Sequence, residues 1–121
     1  MATVLLVDDQ PEVLRLFSRG LEAAGHRVLT ADGVEAAMEI VDTDPPDAVS
    51  VDLKMPYING MGMLYRLRQQ HPGMPVAIMT GGENPDNETL KEIETLGASI
   101  HYKPLSVVQI RQIVDGLLGK K

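Results

Sequence analysis

Short apolar runs alternate with amphipathic stretches from one end of this 121-residue chain to the other, and no other feature constrains its fold as tightly. Thr3–Val7 is a continuous apolar run with β-branched residues, the pattern of a strand buried on both faces. Val28–Ala31, Ala48–Val51, Pro75–Met79 and Ser99–Tyr102 read as four further strands. After the first run, Val13, Leu14, Phe17, Leu21 and Ala24 recur at helical spacing, with Pro11 suited to the first turn and Gly25 to the stop. Val34, Ala37, Met38 and Val41 line a second helix, led by Asp32 or Gly33 and stopped by Pro45-Pro46. A third opens at Asn59-Gly60, passes through Leu64 and Leu67 and is ended by Pro72-Gly73. Asn84-Pro85 reads as an N-cap followed by proline at the first helical position; Leu90, Ile93 and Leu96 then face inward, and Gly97 ends that helix. Val107, Ile110, Val114 and Leu117 line the last one.

Strands and helices taken in turn, with short connections, imply a parallel sheet covered by helices on both faces. This length supports one core and not two, so the expectation is a single doubly wound α/β domain over residues 1–121, with no output domain in view. The pattern leaves the strand order open.

Hydrophobic residues make up 44% and charged residues 23%, a globular balance and not a disordered one. Cysteine is absent, which excludes disulfides and thiolate metal sites. The net charge of −6 and the scattered basic residues argue against direct nucleic-acid binding; Lys120-Lys121 is no more than a solubilising pair. The apolar run at the N-terminus is broken at once by Asp8 and Asp9, too short for a signal peptide or a membrane span. A cytoplasmic location and no membrane partner are therefore expected.

Placing the polar residues on this pattern gives the functional signal. Asp8 and Asp9 end the first strand, Asp52 the third, Thr80 the fourth and Lys103 the fifth. Ligands of open α/β sheets bind beyond the carboxyl ends of the strands, so these side chains converge on one rim. Three close carboxylates repel, and a hard divalent cation with oxygen ligands relieves them; Mg²⁺, which favours few carboxylates plus phosphate oxygens, suits the set. Singly, each residue has a plainer role: an aspartate as a turn former or cap, Thr80 as a loop start, Lys103 as a solvated charge. Their joint placement at successive strand ends is what makes a site.

The segments Val4-Leu5-Leu6-Val7-Asp8-Asp9, Val51-Asp52-Leu53-Lys54-Met55-Pro56 with Asn59-Gly60, Met79-Thr80-Gly81, and Lys103-Pro104 resemble the receiver domain of bacterial response regulators. They do so in the family's order and over the whole chain. The resemblance implies the flavodoxin-like strand order 2-1-3-4-5. It implies a two-component signalling switch, of the kind that chemotaxis regulators exemplify, in which Asp52 accepts a phosphoryl group from a sensor histidine kinase or phosphotransfer protein. Asp9, Asp52 and the backbone carbonyl of Lys54 would hold Mg²⁺, with Asp8 acting mainly through metal-bound water. Lys103 would pair with one phosphoryl oxygen and Thr80 would hydrogen-bond another. Pro56 and Gly60 would shape the loop after Asp52, and the Lys103–Pro104 bond would be cis. Such a protein is no enzyme beyond its own phosphorylation and autodephosphorylation, and it signals to a downstream protein through its last two helices.

Two other functions compete. A pseudo-receiver adaptor would bind partners without turning over phosphate, and the complete set of acidic residues, Thr80 and Lys103 argues against it. A Mg²⁺-dependent phosphatase acting on small phosphate esters would need a second acidic residue soon after Asp52, where Leu53, Lys54 and Met55 stand, and a cap for which the chain has no spare length.

The chain also departs from the family. The stretch from Thr80 to Gly97 is longer than usual, with Glu83, Asn84 and Pro85 in the extra loop, and that from Gly97 to Lys103 is one residue short. Ile100 stands where most receivers carry an aromatic, and Tyr102 directly precedes Lys103. The switch is therefore expected to work mainly through Gly81–Asn87 and the helix that follows, with Tyr102 a weaker contributor.

Overall fold

The computed structural model describes residues 2–55, 58–81 and 85–119. Its first strand, β1 (Thr3–Val7), has neighbours on both sides, as its unbroken apolar sequence requires. Successive side chains of a strand point to opposite faces. Leu5 and Val7 accordingly join one core, with Met38, Val41, Leu64 and Leu67, while Val4 and Leu6 join another, with Phe17, Leu21, Ile110 and Val114.

The elements follow in strict alternation: α1 (Pro11–Ala23), β2 (Arg27–Ala31), α2 (Val34–Thr43) and β3 (Ala48–Asp52). A two-residue pair comes next, β4 (Lys54–Met55) and β5 (Ile58–Asn59), then α3 (Gly60–Gln70) and β6 (Val76–Thr80). The chain closes with α4 (Asn87–Thr95), β7 (Ser99–Tyr102) and α5 (Val107–Leu117). The main sheet is parallel throughout in the order β2-β1-β3-β6-β7. Numbered by its own strands alone, that is the expected order 2-1-3-4-5. Helices α1 and α5 cover one face, α2, α3 and α4 the other.

Three local readings need correction. The N-cap of α4 is Asp86, whose Oδ1 accepts the Thr89 amide at 2.8 Å. The helix therefore starts two residues beyond Pro85, because a carboxylate at Asp86 can meet an amide one turn on. Asn84 lies outside the described residues, as do Pro56, Gly82, Glu83 and the Lys120-Lys121 pair. The fourth main strand is displaced by one residue from Pro75–Met79: the Pro75 carbonyl still accepts from Val49 N at 2.9 Å, but its nitrogen has no hydrogen to donate. The antiparallel β4–β5 pair was not expected, being too short to leave an alternating pattern.

Close approach explains one glycine in the middle of a helix. A Cβ on Gly20 would run into Cγ1 of Val107, so α1 and α5 pack nearly backbone to side chain there, and Arg111 Nε donates to the Gly20 carbonyl at 2.9 Å. No described helix is long and apolar enough to cross a membrane.

Candidate functional site

The strand order reverses direction between β1 and β3, and that crevice, at the carboxyl ends of the strands, is where an open sheet offers its ligand site. Backbone pairing carries each functional side chain to this edge. Asp8 N donates to Ala31 O at 3.1 Å just past β1, and Leu53 N to Met79 O at 2.7 Å just past β3. Thr80 is the last residue of β6, and Lys103, immediately after β7, is held by its amide to Thr80 O at 2.7 Å. Gly60 completes the frame: a Cβ there would lie 2.7 Å from Asp52 O and 2.9 Å from Leu53 Cα. Only glycine lets α3 begin directly against the backbone of the third strand's end.

Four of the five residues singled out in the sequence meet through their side chains, and Thr80 joins them through its carbonyl, which accepts from the Lys103 amide. One carboxylate oxygen each from Asp8, Asp9 and Asp52 lie within 4.8 Å of one another. Asp8 and Asp52 are buried and Asp9 is partly exposed. Lys103 Nζ donates to Asp8 Oδ2 at 2.6 Å and to Asp52 Oδ2 at 3.2 Å, bridging β1 and β3 from the far edge of the sheet. Burial would lower the Lys103 ammonium, but the hydrogen bond to Asp8 and the charges of Asp52 and Asp8 outweigh it and hold its pKa above the ordinary lysine value. It is fully charged at neutral pH. Among the described side chains one ammonium faces three carboxylates, and the donor set is all oxygen, which fits a small hard cation.

Thr80 supplies the second test of fit. It is 2% exposed, and its Oγ1 has no hydrogen-bond partner among the described residues. A buried hydroxyl left unsatisfied costs on the order of 1–3 kcal/mol, which a ligand oxygen arriving beside it would recover. Lys54, whose carbonyl the family resemblance makes a metal ligand, lies in β4, two residues after Asp52. The Lys103–Pro104 bond is cis, as expected.

Two features escaped the sequence. The backbone amide of Gln10 donates to Asp8 Oδ1 at 3.0 Å and fixes that carboxylate from the side opposite Lys103's oxygen; backbone donors carry no residue signature. A cavity of about 430 Å³ adjoins the site, lined by Gln10, Val13, Leu16, Phe17, Lys103 and Leu105 among others. Its one sequence hint was Leu16, an apolar residue off the buried stripe of α1 and half exposed.

Comparison with known proteins agrees with this geometry. The profile of the family described as "Response regulator receiver domain" matches residues 4–115. The alkaline phosphatase synthesis transcriptional regulatory protein PhoP of Bacillus subtilis is 30% identical over 97% of this chain and 48% of its own length. A response regulator receiver domain protein from Clostridium thermocellum superposes with a TM-score of 0.86 at 30% identity, covering 98% of this chain and 95% of that one. The chemotaxis protein CheY4 of Vibrio cholerae gives 0.88 at 26% identity, over 98% and 99%. The chain thus spans about half the length, or less, of the curated regulators it matches, and nearly all of the two solved structures.

Proposed function

The chain belongs to the response regulator receiver domain family, and from that premise we propose that it is a switch in which Asp52 accepts a phosphoryl group. The observation that carries this reading is the Lys103 ammonium, bonded at once to Asp8 and Asp52 within a three-carboxylate cluster. An Asp52 carboxylate oxygen attacks phosphorus in line with the leaving imidazole of a phosphohistidine on a kinase or phosphotransfer protein. The phosphorus–nitrogen bond breaks as the phosphorus–oxygen bond forms, and the imidazole departs with the electron pair. Lys103 exchanges a carboxylate partner for a phosphoryl oxygen, and Thr80 Oγ1 donates to another. Asp9, Asp52 and the Lys54 carbonyl would hold Mg²⁺, with Asp8 acting mainly through water, and the ion would neutralise charge on the transferring group.

Attack of water on the aspartyl phosphate returns Asp52 and inorganic phosphate, so the chain's only catalysis is on itself. We place residues 1–121 in one such domain. Its downstream partner docks on α4, β7 and α5, the side to which Thr80 and Lys103 connect. The names of the curated relatives are those of transcriptional regulators. The acidic charge of this chain argues against a direct nucleic-acid contact by residues 1–121 themselves.

Beryllofluoride, which mimics an aspartate-bound phosphoryl group, tests the reading. Fluorine NMR should show a bound signal that needs Mg²⁺ and disappears in Asp52→Asn. A bound signal that survives chelation would remove Mg²⁺ from the reaction, and one that survives that substitution would place the acceptor elsewhere.

A further inference from the structure

The two ends of α4 are held very differently. Its N-terminal end follows Thr80 in the chain, and among the described residues the side-chain hydrogen bond that holds it is the exposed Asp86 cap. Only Ile93 of the helix is buried, so little packing resists movement of its first turns. The other end is fastened to α3. Arg68 donates Nη1 to Met74 O at 2.7 Å, Nη2 to Gly97 O at 3.5 Å, and Nε to Leu96 O, thereby joining α3, the approach to β6 and the turn after α4. One turn earlier on the same face of α3, the Tyr65 hydroxyl donates to Glu92.

Helix α3 is itself a fixed reference. Met63, Leu64 and Leu67 are fully buried, and Gly60 rests on the backbone of Asp52 and Leu53. From Gly60 to Arg68 is about 12 Å of helix at 1.5 Å per residue. An arginine that satisfies helix-end carbonyls is often only a cap. Here the guanidinium also reaches a carbonyl from a third segment, Met74, which a cap does not require.

We propose that Arg68 is a positioning residue of the output: it pins the C-terminal end of α4 to α3, so that α4 answers a change at Thr80 by swinging about that end. This rests on the phosphorylation switch proposed above. The lever is about 13 Å long for nine residues, so displacement grows toward Asn87 and the surface around Asp86–Leu90 carries the signal.

Amide exchange of the full chain with Mg²⁺, with and without beryllofluoride, tests it, with fluorine NMR reporting occupancy in the same samples. The probes are the Leu90 amide, bonded to Asp86 O at one end, and those of Leu96 and Ala98, bonded to Glu92 O and Ile93 O at the other. The expected result is a change of about tenfold at Leu90 with less than about twofold at Leu96 and Ala98. In Arg68→Ala the beryllofluoride response should spread to Leu96 and Ala98, and in Tyr65→Phe it should do so more weakly. A purely structural arginine would raise exchange at that end equally in both states. An equal response at both ends of the unsubstituted chain overturns the pivot, whether or not Arg68→Ala folds. So does an unchanged pattern in a folded Arg68→Ala. Failure of beryllofluoride to bind overturns the switch itself, and the pivot with it.

Discussion

Lys103 and Asp8 stand 2.6 Å apart, and that distance has a consequence for metal binding. The ammonium already occupies part of the negative field that would attract a cation, so Mg²⁺ would compete with Lys103 for Asp8 and Asp52. Replacing Lys103 by Met should tighten Mg²⁺ binding by roughly tenfold while slowing phosphoryl transfer, since charges this close interact by several kcal/mol even at an intermediate dielectric. Isothermal titration decides it, and unchanged or weaker affinity would show that Lys103 does not oppose the ion. A second titrating residue lies one strand position from Tyr102. Burial holds the His101 imidazole below its usual value of 6.5. The folded chain then binds fewer protons than the unfolded one, so this contribution is complete above pH 6.5 and is lost as pH falls through the depressed folded value. Thermal melts between pH 7 and 5 should fall more steeply in the native chain than in His101→Gln. Parallel curves would remove His101 as the cause. At this scale the sequence was most informative about Asp8, Asp9, Asp52, Thr80 and Lys103, because strand ends are visible as breaks in apolar runs. The backbone amide of Gln10 and the orphaned state of Thr80 Oγ1 were not, since neither depends on residue type alone.

Periodicity located all five main strands and all five long helices, and it failed where a single residue sets a boundary. Asn84-Pro85 has the composition of a helix start, but the cap is made at Asp86, where a side-chain oxygen meets the Thr89 amide. The β4–β5 pair has two residues on each side and leaves no period to detect. The Gly20 contact was invisible for another reason: it depends on a neighbour, Val107, far away in sequence. Because valine is stiff at χ1, it cannot easily turn away from a new Cβ. Gly20→Ala should therefore destabilise the fold by about 1–3 kcal/mol, although alanine is the better helix former. Urea unfolding checks this; a variant as stable as the parent, or more so, would mean that α1 and α5 can separate at no cost.

The whole molecule joins a rigid sheet to one loosely packed helix. Ile100 packs against the core shared by α2, α3 and Ile93, and Tyr102, on the same face by alternation, is nearly half exposed. Thr80 and Tyr102 are paired in the β6–β7 register, so Tyr102 sits next to any change at Thr80 while much of its own surface stays in solvent. Tyr102→Ala should thus leave most of the beryllofluoride-induced change in exchange at residues 85–90 in place. Abolition of that change would make Tyr102 the principal transmitter. Fold class was legible in the alternation of elements and the rim residues in the motifs at their ends, whereas the strand order came only with the family resemblance that those motifs carry. The brace at Arg68 was not, because its acceptors are carbonyls of Met74, Leu96 and Gly97. Uptake of a phosphoryl group by Asp52 with the help of Mg²⁺ is best checked by intact-mass analysis after incubation with acetyl phosphate. One phosphoryl group should be added in the presence of Mg²⁺, none in chelator and none in Asp52→Asn; undiminished labelling of Asp52→Asn at another residue would show that Asp52 is not the acceptor.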